Sequence, residues 1–490
     1  MGRKIFLIQI AVLAALISLS IGCNKTSEEI QPGPSSEEIE FSSDVEVVNL
    51  IPELEVLYTI NRDARLNDSR SDSWVQCASD GTVGMVYRET GQAPAKENSF
   101  NAKTMVTNLV YKTITPGGNI IDETVTSGEG VNCSVFVYDS GNRPHIFFAR
   151  SINSQQEIFY CYKSSQSQWV IERIMQFPTG TGSIILELTA ACGPDDRLHL
   201  LALKTGINPM VNCLDAHKNS YLFYISNRTG SWQRELIQHF DTVYLQINVR
   251  YDGTPYWYMR MFRRQDLVVD ASGYAHVVYG ALVLLGSEPY PSEIRYANNI
   301  SGTWNIETAV APSDESCDAG ANPSIVIDRE GQVLLASTFI ERVPTKSAQN
   351  SELIFSYRVG TGVWEHIVIA DRADNYPGVD GGHFTGAMPH LALDNNNRPH
   401  IVFSDIASSH IMGGSVLNIG QIRYARYTGD RWQLSTLYRQ SAPIDYDRVN
   451  EMHGQCLAIS NDGGVQIIGQ EFLSESSDDQ TYNLLHLTLQ

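Results

Sequence analysis

Positive charge is scarce in this chain: across 490 residues, 35 lysines and arginines face 55 aspartates and glutamates, for a formal net charge of −20. Such a surface repels phosphate backbones, whose binding rests on cationic side chains, and nucleic acid is set aside as a partner. Long apolar runs are missing too. The stretch from Ile5 to Ile21 is too short, and too soon followed by polar sequence, to read as a membrane span. Cysteine is sparse, and apart from Cys23 the seven others (Cys77, Cys133, Cys161, Cys192, Cys213, Cys317 and Cys456) fit no CxxC metal site. Their odd number leaves at least one thiol outside any disulfide. Cys192 with Cys213 is the pair to test first because the two bracket one expected hairpin, and burial as small apolar side chains is the alternative. No EF-hand spacing surrounds Asp314, Glu315 and Asp318, which read as a solvated acidic loop rather than a calcium site. Neither metal nor cofactor is expected.

The first residues are organised for export. Arg3 and Lys4 precede the apolar stretch, and Ser20, Ile21 and Gly22 lead into Cys23, a signal-peptide layout. A small residue before a cysteine resembles the bacterial lipobox, with Leu19 standing one place further from the cysteine than the usual Leu. The resemblance implies a cleaved signal over residues 1–22, acylation of Cys23 and retention on a membrane. Asn24 in place of Asp implies an outer-membrane destination, periplasmic or cell-surface side open. An ordinary secretory signal with a coincidental cysteine is the alternative. Residues 23–44, rich in Ser, Glu and Pro with little apolar surface to offset the entropy of ordering, read as a disordered tether.

Beyond residue 45 the chain repeats itself. The segments SVFVYDSGNRPHIFFAR, DLVVDASGYAHVVYGA, PSIVIDREGQVLLASTF and PHLALDNNNRPHIVFSD share an apolar strand, an Asp, a Gly/Asn turn and a second apolar strand. Weaker copies bring the alignment to seven, with Gly84, His145, His199, His276, Leu334, His400 and Gln466 opening the second strand of each. The middle five are each followed by a second hairpin with Trp169, Trp232, Trp304, Trp364 or Trp432 at one fixed place. Two hairpins per repeat make a four-stranded antiparallel sheet, and sheets repeated in this way are propeller blades. The expectation is an all-β, seven-bladed β-propeller over residues 45–490. Its last sheet, ending in YNLLHLTLQ, lacks an outer strand, and residues 45–60 are expected to supply it and close the ring, protecting otherwise open edges.

The pattern D-x-x-G-x-x-H-I-x-[FY], followed by I-x-Y-A and G-x-W, resembles the BNR-like, sialidase-superfamily-type propellers of exported bacterial proteins. The resemblance implies the fold over nearly the whole mature chain and admits a carbohydrate enzyme. Of the sialidase Asp-box only Gly and Trp survive in NNISGTWN and SNRTGSWQ, and no sialidase arginine triad, catalytic Tyr or catalytic Glu maps onto the chain.

Repeated residues serve the blade, so His145, His199, His276 and His400 read as structural, Asp139, Asp270, Asp328 and Asp394 as binders of their own turns, and the five Trp as covers of sheet edges. A ligand site breaks the symmetry. The longest connection, 239–265, gathers Tyr256, Trp257, Tyr258, Arg260, Arg263 and Arg264, aromatic faces beside guanidinium groups that suit sugars bearing carboxylate or sulfate. A second, 370–388, carries Tyr376, Asp380 and His383, and His410 and His453 follow in the next blades. A membrane-anchored propeller that binds a polysaccharide or protein through its long-loop face is the first reading. The alternative is a polysaccharide lyase acting on acidic glycans, with His383, His410, His453 or Tyr258 as base and Arg260 as the stabilising cation.

Overall fold

A computed structural model describes residues 41–61, 64–65, 75–90, 106–129, 131–152, 155–177, 185–204, 220–240, 246–249, 255–258, 265–282, 292–312, 317–342, 349–371, 383–410, 416–440, 444–445, 456–460, 463–476 and 479–489. Alternating apolar residues punctuated by tight turns give an all-β, seven-bladed propeller of four-stranded antiparallel blades, and the described residues contain no helix. From inner to outer strand, blade two is Val131–Tyr138, Pro144–Ile152, Gln155–Lys163 and Trp169–Phe177. Blade six is His383–Leu393, Pro399–His410, Val416–Tyr427 and Trp432–Arg439. The seven aligned residues from Gly84 to Gln466 all stand second in the second strand of their blades.

Each blade is an up-and-down meander. Its 1–2 and 3–4 turns lie at one end, and its 2–3 and blade-to-blade connections at the other. Three recurring devices hold the short-turn end and the blade interfaces. The left-handed position of each 1–2 turn is Gly81, Asn142, Asp196, Gly273, Gly331, Asn397 or Gly463. Where it is Asn or Asp, the side chain reaches the preceding blade's turn: Asn142 Oδ1 accepts from Ser79 N at 3.2 Å, Asp196 Oδ1 from Ser140 N at 2.9 Å, and Asn397 Oδ1 from Arg329 N at 3.1 Å.

The repeated histidines are the second device. His145, His199, His276 and His400 each hydrogen-bond through Nδ1 to a third-strand tyrosine hydroxyl, Tyr160, Tyr224, Tyr296 and Tyr424, at 2.5–2.6 Å. The turn aspartates accept backbone N–H groups, as Asp139 does from Gly141 and Arg143. In blade one Gly84 takes the histidine's place, because a Cβ there would meet Tyr138 Oη at 2.2 Å. The space lets Tyr111 and Tyr138 share a hydrogen bond between blades at 2.9 Å.

Third, the tryptophans do more than cover edges. Trp169, Trp304 and Trp364 donate their indole N–H to Glu123, Glu235 and Glu307 on the outer strand of the preceding blade, at 3.0, 2.8 and 3.0 Å.

The ring closes through the N-terminal segment, and in two stages. Glu53–Asn61 pairs antiparallel with Asp479–Leu489 and supplies blade seven's outer strand, as expected. Val45–Val47 instead pairs parallel with Trp432–Arg439, adding a fifth strand to blade six. Phe41, assigned by composition to the tether, is buried against Phe355, Tyr357 and Tyr427, so ordered packing begins four residues before position 45. Trp432 lies beneath this strap, fully buried, and its indole N–H has no glutamate partner. Cys192 ends the inner strand of blade three as a half-buried thiol, and Cys213, the partner expected for it, lies outside the described residues.

Candidate functional site

The end bearing the long connections departs from sevenfold regularity in two places. Between blades three and four, the stretch read as a loop over 239–265 contains a hairpin of its own, Gln246–Val249 paired with Pro255–Tyr258, outside every blade. Its register sets Tyr256 opposite Asn248, Trp257 opposite Ile247 and Tyr258 opposite Gln246. Tyr256 and Tyr258 therefore occupy alternate positions of one strand.

Across the ring, blades five to seven are elongated. Their second strands, Val333–Arg342, Pro399–His410 and Val465–Ser476, have 10, 12 and 12 residues, against 7 and 8 in Leu198–Lys204 and Ala275–Leu282 of blades three and four. Because all start at the same aligned position, the excess of about four residues rises at the long-connection end by roughly 13 Å.

The inner strands of blades five and six also share a distortion the repeat alignment missed. Gly320-Ala321-Asn322-Pro323 and Gly386-Ala387-Met388-Pro389 match, and both Asn322 (φ 57°) and Met388 (φ 54°) adopt the left-handed conformation directly before a proline. Each such residue costs on the order of 1–3 kcal/mol, held in place by its surroundings. Gly386 admits no side chain, since a Cβ would sit 2.7 Å from the Leu353 Cα. The signal was legible as G-A-x-P occurring twice, with x unlike in the two copies.

A buried polar network pins this part of blade six. Thr385 Oγ1 donates to Asp405 Oδ1 at 3.0 Å, Arg423 Nη1 to Asp405 Oδ2 at 3.0 Å, Ser351 Oγ to the Thr385 carbonyl at 2.8 Å and Thr338 Oγ1 to the Gly386 carbonyl at 2.5 Å. Asp405, Thr385 and Arg423 are essentially fully buried. Further along the axis, inner-strand side chains stitch one blade to the next. Asp266 accepts from Ile325 N at 2.9 Å, Ser324 Oγ from Leu391 N at 3.1 Å and His390 Nδ1 from Leu457 N at 3.2 Å. These groups satisfy N–H donors that the diverging inner strands leave unpaired.

His383 begins the inner strand of blade six, opposite Ala407 and beside Asn350 of blade five. His410 ends the second strand of the same blade, opposite Val416. The backbone thus brings these two into one sheet on adjacent strands, with His410 three residues, about 10 Å of strand, beyond the residue facing His383. Tyr258 belongs to the separate hairpin. Of Tyr256, Trp257, Tyr258, His383 and His410 the structure describes the backbone alone, and Cys23, Arg260, Arg263, Arg264, Tyr376, Asp380 and His453 lie outside the described residues, as do Asp314 and Glu315. Among the described residues no group of three or more His, Cys, Asp or Glu side chains is placed to hold a metal ion.

No protein-family model matches the chain, and no curated protein matches it. Solved structures similar to it include the polysaccharide lyase Uly1, 12% identical over 87% of this chain and 90% of that one, with a TM-score of 0.44. An α-L-arabinofuranosidase from Fusarium graminearum is 10% identical over 75% of this chain and 94% of its own, with a TM-score of 0.37. The sialidase of Trypanosoma rangeli is 10% identical over 76% of this chain and 56% of its own, with a TM-score of 0.36.

Proposed function

We propose that the protein is an exported outer-membrane lipoprotein, anchored through acylated Cys23, whose propeller binds an acidic polysaccharide at its long-connection end. One observation carries the reading: a hairpin foreign to the repeat stands between blades three and four and bears Tyr256, Trp257 and Tyr258, with Arg260, Arg263 and Arg264 following in sequence. Aromatic faces stack on pyranose rings, and guanidinium forks bind carboxylate or sulfate oxygens two at a time. In a chain of net charge −20, arginines gathered in one insertion offer an anionic polymer a place to attach.

The test is binding of the purified domain to polyuronates and sulfated glycans by calorimetry. Trp257→Ala and the triple change Arg260→Ala, Arg263→Ala, Arg264→Ala should each weaken binding at least tenfold. Affinity for no acidic glycan across a broad panel, or affinity untouched by both variants, would remove the proposal.

The placement of His383 and His410 in one blade supports a second reading, lyase action on the bound polymer. A base would take the proton beside a uronate carboxylate, the glycosidic C–O bond on the neighbouring ring carbon would break with its oxygen leaving as a hydroxyl once protonated, and the double bond formed would absorb in the ultraviolet. Growth of that absorbance, abolished in His383→Ala or His410→Ala, would turn the binding protein into an enzyme. Binding with no product would leave it a binder.

A further inference from the structure

The strap fixes where the chain joins the propeller. The outer strand of blade six, Trp432–Arg439, starts at the short-turn end, directly after the 3–4 turn at Thr428–Arg431. Val45–Val47 runs parallel to it with Val45 opposite Trp432, and Trp432 N donates to the Asp44 carbonyl at 2.8 Å. Val48 N and Leu50 N bond to Leu434 O and Ser435 Oγ, and the chain then enters blade seven with Glu53 opposite Thr488, again at the short-turn end. All of the strap therefore lies in the half of the propeller remote from the long connections, and residues before Phe41 join there.

Two further facts concern this rim. Only 17 residues separate Cys23 from Phe41, and a coil of that length has a mean end-to-end distance of about 20–25 Å. A 12-residue strand of blade six alone rises about 40 Å. The strap also exposes apolar side chains in sequence: Val47 is 68% exposed, Ile51 84%, Leu54 48% and Val56 50%. These four fall within ten residues, with Glu46, Glu53 and Glu55 exposed alongside them, whereas among the described residues no other blade's outer strand and its turn expose more than two large apolar side chains.

We infer that the short-turn rim of blades six and seven, through Val47, Ile51, Leu54 and Val56, rests against the lipid surface, so that the long-connection end faces away from the membrane. The inference rests on the lipoprotein reading of Cys23. It gives the apolar rim an occupant, the bilayer to which a tether this short holds it. It also leaves the insertion hairpin and the tall blades five to seven open to a polymer arriving from solution.

The test uses full-length lipidated protein in phosphatidylcholine vesicles carrying a headgroup acceptor dye. A donor is placed through an unnatural amino acid at Thr229, in a short turn of blade three, or at Gln176, at the opposite end of blade two. Energy transfer should be at least twofold greater from Thr229. Val47→Ser with Ile51→Ser should reduce that difference. Equal or reversed transfer overturns the orientation, and a difference untouched by the serine variant overturns the role of the rim. Mass spectrometry of the Cys23 peptide separates the two levels of failure. An unmodified Cys23 removes the lipoprotein reading together with the inference, whereas an acylated Cys23 with reversed transfer removes the inference alone.

Discussion

Glu307, on the outer strand of blade four, accepts the indole N–H of Trp364 in blade five at 3.0 Å. The same carboxylate accepts from Arg358 Nε at 2.7 Å, Arg358 Nη2 at 3.2 Å and Gly362 N at 2.9 Å, so one side chain gathers four donors from the neighbouring blade. Glu307→Ala should cost about 2–3 kcal/mol, as expected when a partly buried, charge-assisted cluster loses its only anion. Glu307→Gln, which keeps an acceptor, should cost less than half as much. Urea unfolding of the two variants checks the order.

Phe41 should prove a structural residue although it lies where composition reads as tether. Phe41→Ala empties a buried aromatic site and should cost about 3 kcal/mol, seen as a lower melting temperature. Removing residues 41–61 should lower it far more, because blade seven then loses its outer strand. A truncated chain melting where the full chain melts would show that closure lies elsewhere.

Stability should fall with acid in a window set by buried imidazoles. Burial pushes His199 and His400 down from the ordinary 6.5 to about 4, and for His400 it outweighs the Asp394 carboxylate 3.7 Å away. The unfolded chain binds these protons more readily than the folded one. The contribution is therefore complete above pH 6.5 and is lost as pH falls toward 4, by up to about 3 kcal/mol per histidine. Denaturation at pH 7.5 and pH 5 should show the loss, and His400→Gln should flatten it. An undiminished slope in that variant would assign the proton uptake to other groups.

The Asp405–Arg423 pair tests what holds the distorted inner strand of blade six. Asp405→Ala leaves Arg423 buried without its carboxylate and should cost about 3–5 kcal/mol. Replacing both, Asp405→Leu with Arg423→Met, should recover most of that. A double variant as unstable as the single one would mean that the strand's conformation depends on the ion pair itself.

How much of this was legible in the sequence depends on whether a feature repeats. The His–Tyr and Asp-turn contacts recur in blade after blade, so residues such as His145 and Asp139 announced both the strands and their own structural duty. The Trp–Glu contacts were half legible. Trp304 repeats visibly, but its partner Glu235 belongs to the previous copy, and an alignment stacks copies without showing which neighbours touch. The strap was misjudged because Phe41 is one apolar residue among Ser and Glu, and its burial depends on a cage formed by residues far along the chain. The hairpin at 246–258 was read as a loop because it has no sister among the described residues of the other blades and its strands are four residues each. For the same reason the candidate site was visible as composition, Tyr256 to Arg264, but not as an arrangement.

Closure by Glu53–Asn61 against Asp479–Leu489 has a consequence for the timing of folding. The strand made first must wait for a partner made more than 400 residues later. No amount of early folding can finish the ring, since contacts between distant parts of a chain form late and slowly. If the chain is exported in an extended state, as proposed above, it gains from such a delay. Under the export proposed above, the final pairing would become available only after Asp479–Leu489 had crossed, so the ring would be completed on the far side of the membrane.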